Sequence, residues 1–188
     1  MKNNPPPPNA ANYATTIEKG APPGMTIATI ALGSNLGDRV ANLQAARDRM
    51  PCLRASAIYE TAPVDCPEDS PPFLNCVLEV KWEGTVESLH ALGKSIETSL
   101  GRPAVRGFHE PRAIDVDLLA FGDLVLDSPS LILPHPRLHL RRFVLQPWAE
   151  ISPDLLLPGF ALSIGEMLDQ LDSPEPPLRK HPRQWKLP

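Results

Sequence analysis

Prolines crowd the two ends of this chain, which confines regular structure to the stretch between them. Pro5 to Pro8 form an unbroken run, Pro22 and Pro23 follow, and "DSPEPPLRKHPRQWKLP" near the other end is broken again. Proline fixes φ and removes a backbone donor, so such runs favour polyproline II and resist helix interiors and central strands. The expected organisation is an N-terminal extension over 1–25, one folded domain over 26–172 and a C-terminal tail over 173–188. A length of 188 residues suits one domain with extensions better than two domains.

Inside the block the periodicities alternate. "TIATIAL" from Thr26 is short and β-branched, so it predicts a first strand. "GSN" breaks it. Asp38 is placed to cap a helix carrying Val40, Leu43, Ala46 and Met50 at spacings of three and four. "RASAIYET" reads as a second strand. "FLNCVLEVKW" reads as a third, with Leu74, Cys76, Leu78 and Val80 alternating against Asn75, Val77, Glu79 and Lys81. Thr85 caps a second helix with Val86, Leu89, Leu92, Ile96 and Leu100 on one stripe, and Gly101 ends it. A further strand follows, with Gly122-Asp123 as a hairpin turn into "LVLD". Ser163 and Glu166 form a capping box for a later helix. The order β-α-β-β-α-β predicts an α+β fold, a ferredoxin-like core with additional C-terminal strands and helices.

Bulk properties narrow the function. The net charge is -4 and the pI about 5.7, so no basic field for nucleic acid is expected. Cys52, Cys66 and Cys76 are odd in number and form no CxxC pair, which argues against a disulfide framework or a cysteine zinc site. No apolar run approaches the roughly 20 residues that span a bilayer, and the N-terminus lacks an apolar signal core. The expected setting is cytoplasmic, without a membrane partner.

The unusual stretch is "EPRAIDVDLLAFG". A strand alternates faces with a period of two, so Asp115 and Asp117 share one face and Ile114, Val116 and Leu118 share the other. Their Cα atoms should lie about 6.5–7 Å apart. Buried carboxylates need a counter-charge, otherwise they protonate. Arg102, Arg106 and Arg112 lie nearby in sequence without an adjacent acidic partner, and there is no Walker sequence. Oxygen ligands suit Mg²⁺ that shares substrate phosphates, and arginine forks match phosphate oxygens. Taken alone, Glu97 reads as an exposed helix carboxylate paired with Lys94. Phe73 and Phe143 alone read as core, and Asn75 as a structural polar group.

The block "PRAIDVDLLAFG" resembles the signature of the 6-hydroxymethyl-7,8-dihydropterin pyrophosphokinase family. "IALGSNLGDR", "YETAPV", "FLNCV", "IETSLGR" and "LPHPRLHLRRFVLQPWAEISP" agree in order and spacing, together covering about residues 26–160. The resemblance implies transfer of pyrophosphate from the co-substrate ATP to a reduced pterin, releasing AMP, in tetrahydrofolate biosynthesis. It implies a monomer with two small-molecule substrates and a pair of Mg²⁺ ions. Asp115 and Asp117 match the metal ligands. Arg102 and Arg112 match catalytic arginines that also meet ATP, and Asp117 is a candidate base. Glu97, Ile114, His135 and Arg141 match ATP-side positions. Thr61, Val64, Phe73, Asn75 and Phe143 match the pterin pocket. The loop from Arg102 to Pro111 is expected to close over both substrates. Two other classes compete: another Mg²⁺-dependent phosphoryl or nucleotidyl transferase, and a non-catalytic ligand-binding module.

Overall fold

A computed structural model describes residues 24–62, 71–101, 112–173 and 177–186. Its centre is strand β1 (Thr26–Ser34), flanked by β4 (Phe73–Trp82) on one side and β5 (Asp115–Phe121) on the other, all antiparallel. Beyond β4 lie two short strands, β2 (Cys52–Ala55) and β3 (Tyr59–Thr61), each paired to a different part of β4. Helices α1 (Arg39–Arg47) and α2 (Val86–Ser99) follow β1 and β4. The ferredoxin-like βαββαβ expectation therefore describes the core, with the second strand split in two.

The helices begin where the sequence says. Asp38 accepts from the Ala41 N–H, and Thr85 accepts from the Ser88 N–H. Each closes an N–H that the first turn would leave unpaired. Gly101 takes φ +93° after α2, a left-handed value that favours glycine.

One sheet face carries Ala28, Ile30, Leu32, Cys76, Leu78, Val80, Val116 and Leu118, and α1 and α2 cover it. Gly93 lets α2 approach, since a Cβ there would stand 3.0 Å from Val116. The opposite face carries Val77, Leu119 and Ala120 beneath α3 (Arg142–Ile151) and α4 (Ile164–Asp169). Trp148 of α3 is its largest fully buried side chain. Ser163 and Glu166 form the expected capping box of α4.

Two expectations need correction. "RASAIYET" is not one strand: the Ser56 hydroxyl accepts from the Val77 N–H at 3.0 Å, taking a group that a continuous ladder would use. Helix α3 covers the second face of β4, and Glu79 is buried there. Arg54 Nε donates to Glu79 Oε2 at 2.7 Å, and the Ser152 hydroxyl donates to Glu79 Oε1. Gly122 does turn the chain, with φ +50°, but no β5 hairpin results. Instead β6 (Leu126–Asp127) pairs with β7 (Ile132–Leu133), around a turn in which Ser128 Oγ accepts from Leu131 N at 3.1 Å.

The C-terminal segment also joins the sheet. Strand β8 (Arg179–Lys180) pairs antiparallel with β3, covering that edge. No helix among the described residues is long and apolar enough to cross a membrane. Cys52 and Cys76 are free thiols.

Candidate active site

Helix α3 covers Val77 at the middle of the second sheet face, and the candidate residues lie on the same face beyond it. Register fixes their order. Gly33 pairs with Asn75 of β4 on one side and with Asp115 of β5 on the other. Ala31 likewise lies between Val77 and Asp117. Thr61 pairs with Phe73 one strand further out. Cross-strand partners share a face, so Thr61, Phe73, Asn75, Gly33, Asp115 and Asp117 all project from one side of the sheet.

On the β4 side, Asn75 Nδ2 donates to Thr61 Oγ1 at 2.7 Å, and both side chains are buried. A Cβ at Gly33 would stand 3.0 Å from Asn75 Oδ1, and 3.8 Å from both the Phe73 ring and Asp115 Cβ. Glycine thus keeps the floor between the two halves low.

On the β5 side, Arg112 Nη1 donates to Asp115 Oδ2 at 2.6 Å. The expectation of arginines without an acidic partner fails here: the fork three residues upstream curls onto the first aspartate. Asn35 fastens Arg112 from the end of β1. Its Oδ1 accepts from the Arg112 N–H at 2.7 Å, and its own N–H donates to the Arg112 carbonyl at 3.1 Å. The sequence marked Gly33 to Asn35 only as a strand-ending turn near the site floor.

Asp117 is half-buried, and its carboxyl is pushed up to about 6. Burial is the main cause and the Asp115 charge the second, while Lys94 and Arg141 pull the other way. The two cations do not offset the effect of burial. Two oxygen-donor carboxylates on one face, one of them under-neutralised, fit a Mg²⁺ that keeps waters and shares phosphate oxygens. Among the described residues no cluster of three or more His, Cys, Asp or Glu offers a complete metal cage.

Glu97 departs from the exposed-pair expectation. Its side chain is only 2% exposed, although Lys94 Nζ does approach Glu97 Oε2 at 3.2 Å. Glu97 Oε1 accepts from the Val116 N–H at 3.0 Å, the backbone group between the two aspartates. Ile114 is fully buried in the first core, so its side chain faces away from the aspartates.

Arg141, the residue before α3, links the remaining positions. Its guanidinium lies 5.4 Å from the Phe143 ring centroid and acts electrostatically on both Asp117 and His135. The N–H of His135 donates to the Leu119 carbonyl at 2.8 Å, which seats that residue beside β5. Its imidazole is pushed down to about 4, first by burial and then by Arg141 and Arg137. Arg102, Val64 and the expected lid from Arg102 to Pro111 lie outside the described residues.

Residues 29–153 match the family described as 7,8-dihydro-6-hydroxymethylpterin-pyrophosphokinase. The chain belongs to this family. Among its relatives, the 2-amino-4-hydroxy-6-hydroxymethyldihydropteridine pyrophosphokinase of Methylorubrum extorquens is 39% identical over 154 residues, covering 79% of this chain and 95% of the relative. The folic acid synthesis protein fol1 of Pneumocystis carinii is 38% identical over 149 residues, which is 76% of this chain. The chain spans only 20% of that protein's length. A solved Plasmodium falciparum HPPK-DHPS shares the fold with a TM-score of 0.64 at 14% identity, over 78% of this chain and 44% of that one.

Proposed function

We propose that this chain transfers the β,γ-pyrophosphoryl group of ATP to the hydroxymethyl oxygen of 6-hydroxymethyl-7,8-dihydropterin, giving the pterin diphosphate and AMP in folate synthesis. The observation that carries the proposal is Gly33 in register between Asn75 and Asp115. Neighbouring strands are about 4.8 Å apart, so a polar pocket and an acidic platform lie about 10 Å apart across one open glycine. That separation suits a flat ring held at one end and reacting at the other.

Thr61, Asn75 and Phe73 would hold the pterin. The Asn75 amide and the Thr61 hydroxyl, already aligned on one another, offer donors and acceptors to the ring edge. Phe73 would supply an aromatic face. Phe143, under the Arg141 guanidinium, would serve the same ring from α3.

Asp115 and Asp117 would hold a pair of Mg²⁺ ions, which when bound supply charge neutralisation to the triphosphate. Arg112 would swing from Asp115 onto phosphate oxygens, where a guanidinium fork fits well. Arg102 would join it from the loop. His135, kept neutral, and Arg141 would receive the nucleotide side. Glu97 would act by fixing the strand between the aspartates. In the transfer, the hydroxymethyl oxygen bonds to the β-phosphorus and the α–β bridging bond breaks. AMP leaves with the bridging oxygen. The hydroxyl proton needs an acceptor, and Asp117, on the acidic platform, is the candidate.

On this reading the chain acts in the cytoplasm as a monomer. The test is AMP formation from ATP and Mg²⁺. It should require the pterin, and AMP no higher with pterin than without it would refute the proposal.

A further inference from the structure

We infer that the C-terminal segment 177–186 is a strap that holds β3 in place and thereby sets the affinity for the pterin, without a part in nucleotide binding. This rests on the proposed role of Thr61 and Asn75. The segment lies outside residues 29–153, where the family match ends.

Strand β3 has three residues and ends on Thr61, the hydroxyl that accepts from Asn75. A three-residue strand with one neighbour is a weak element, because it forms few ladder bonds against the entropy of ordering it. Here β8 supplies the second neighbour, pairing Lys180 with Tyr59 and Arg179 with Glu60.

The residues before β3 are clamped from both sides. Gln184 Oε1 accepts from the Ile58 N–H at 2.8 Å, and the Ile58 carbonyl accepts from Gln184 Nε2 at 3.2 Å and from the His181 N–H at 2.8 Å. Trp185 Nε1 donates to the Ser56 carbonyl at 2.7 Å. Lys180 Nζ lies 2.6 Å from Glu150 Oε1, and Tyr59 donates its hydroxyl to Glu150 Oε2 at 3.0 Å. The far end of the strap is pinned to α1. Arg183 pairs with Asp38 at 3.2 Å, and the Arg47 guanidinium stands 5.3 Å from the Trp185 ring centroid.

Every one of these contacts falls on the β3 flank or on the α1 and α3 residues beside it. None falls on β5, Arg112, His135 or Arg141. The strap also holds α3 through Glu150 and through Gln146, which exchanges two hydrogen bonds with Leu178, but its bonds to the chain around β3 bear most directly on the pterin side. It reaches the pterin through Thr61, as a positioning element rather than a catalytic one.

The test compares the full chain with Gln184→Ala and with a chain ending at Ser173, measuring kcat and both KM values with ATP and 6-hydroxymethyl-7,8-dihydropterin. The expected result is a pterin KM raised at least about threefold in Gln184→Ala and about tenfold in the shortened chain. The ATP KM should stay within about twofold in both. An unchanged pterin KM overturns the inference, and so does a parallel rise in both KM values. If the shortened chain does not fold, Gln184→Ala decides by the same criteria. Absence of pterin turnover in the unaltered chain would instead sink the proposed function, so the two failures are distinct.

Discussion

The carboxylate of Glu97 on α2 accepts a hydrogen bond at 3.0 Å from the backbone N–H of Val116 on β5. Val116 separates Asp115 from Asp117, so a helix side chain fixes the strand between the two acidic groups. Removing the acceptor leaves a buried N–H unpaired, which costs about 1–3 kcal/mol. Glu97→Ala should lower the unfolding free energy by about that amount in a urea titration. Glu97→Gln, which keeps an acceptor oxygen, should lose clearly less. Equal losses would mean that the bond to Val116 is not what Glu97 contributes.

Gly33 should tolerate no side chain without loss on the pterin side. A Cβ would press on Asn75 Oδ1 at 3.0 Å while standing at ordinary contact from Asp115. Gly33→Ala should raise the pterin KM about tenfold, equivalent to about 1.4 kcal/mol, with a smaller change in the ATP KM. Steady-state kinetics with each substrate varied in turn checks this. A larger effect on ATP would contradict the arrangement.

Asp117 predicts a conflict between stability and activity. Its folded-state value, about 6, lies above the usual 3.8, so the folded metal-free chain binds more protons than the unfolded one between those values. Stability from this group therefore falls as pH rises from about 4 to 6, and the penalty is complete above 6. Asp117→Asn should melt a few degrees higher than the unaltered chain at pH 7.5 without metal, and the gain should vanish near pH 4. The same variant should lose pterin-dependent turnover. A lower melting temperature at pH 7.5 would count against an under-neutralised carboxylate.

His135 carries the opposite sign. Its value is pushed down to about 4 from 6.5, so between those values the unfolded chain binds more protons. Stability from this group is complete above about 6.5 and is lost as pH falls toward 4. An NMR titration of the ring should show its midpoint near 4 in the folded protein. A midpoint near 6.5 would mean that the imidazole is exposed and clear of Arg141 and Arg137.

Much of this was legible beforehand because local chemistry and tertiary position agree. Asp38, Thr85 and Ser163 cap helices as their residue types predict. The alternation around Asp115 and Asp117 survives because Val116 and Leu118 have a helix-covered core to enter. What failed depended on partners distant in sequence. The second face of β4 is buried by α3, a helix that carries Pro147 inside it at the cost of one backbone bond. The break at Ser56 needed Val77, the burial of Glu97 needed β5, and the pairing of β8 needed β3. Gly33 and Asn35 look like ordinary turn residues until register places them between the two halves of the site.

The central claim is that the β,γ-pyrophosphoryl group moves as a unit from ATP across Gly33 to the pterin. Incubation with Mg²⁺, the pterin and ATP labelled at the β-phosphorus tests it most directly. The label should appear in the pterin product, with unlabelled AMP released in equal amount. Label retained in ADP, or released as free pyrophosphate, would contradict the account.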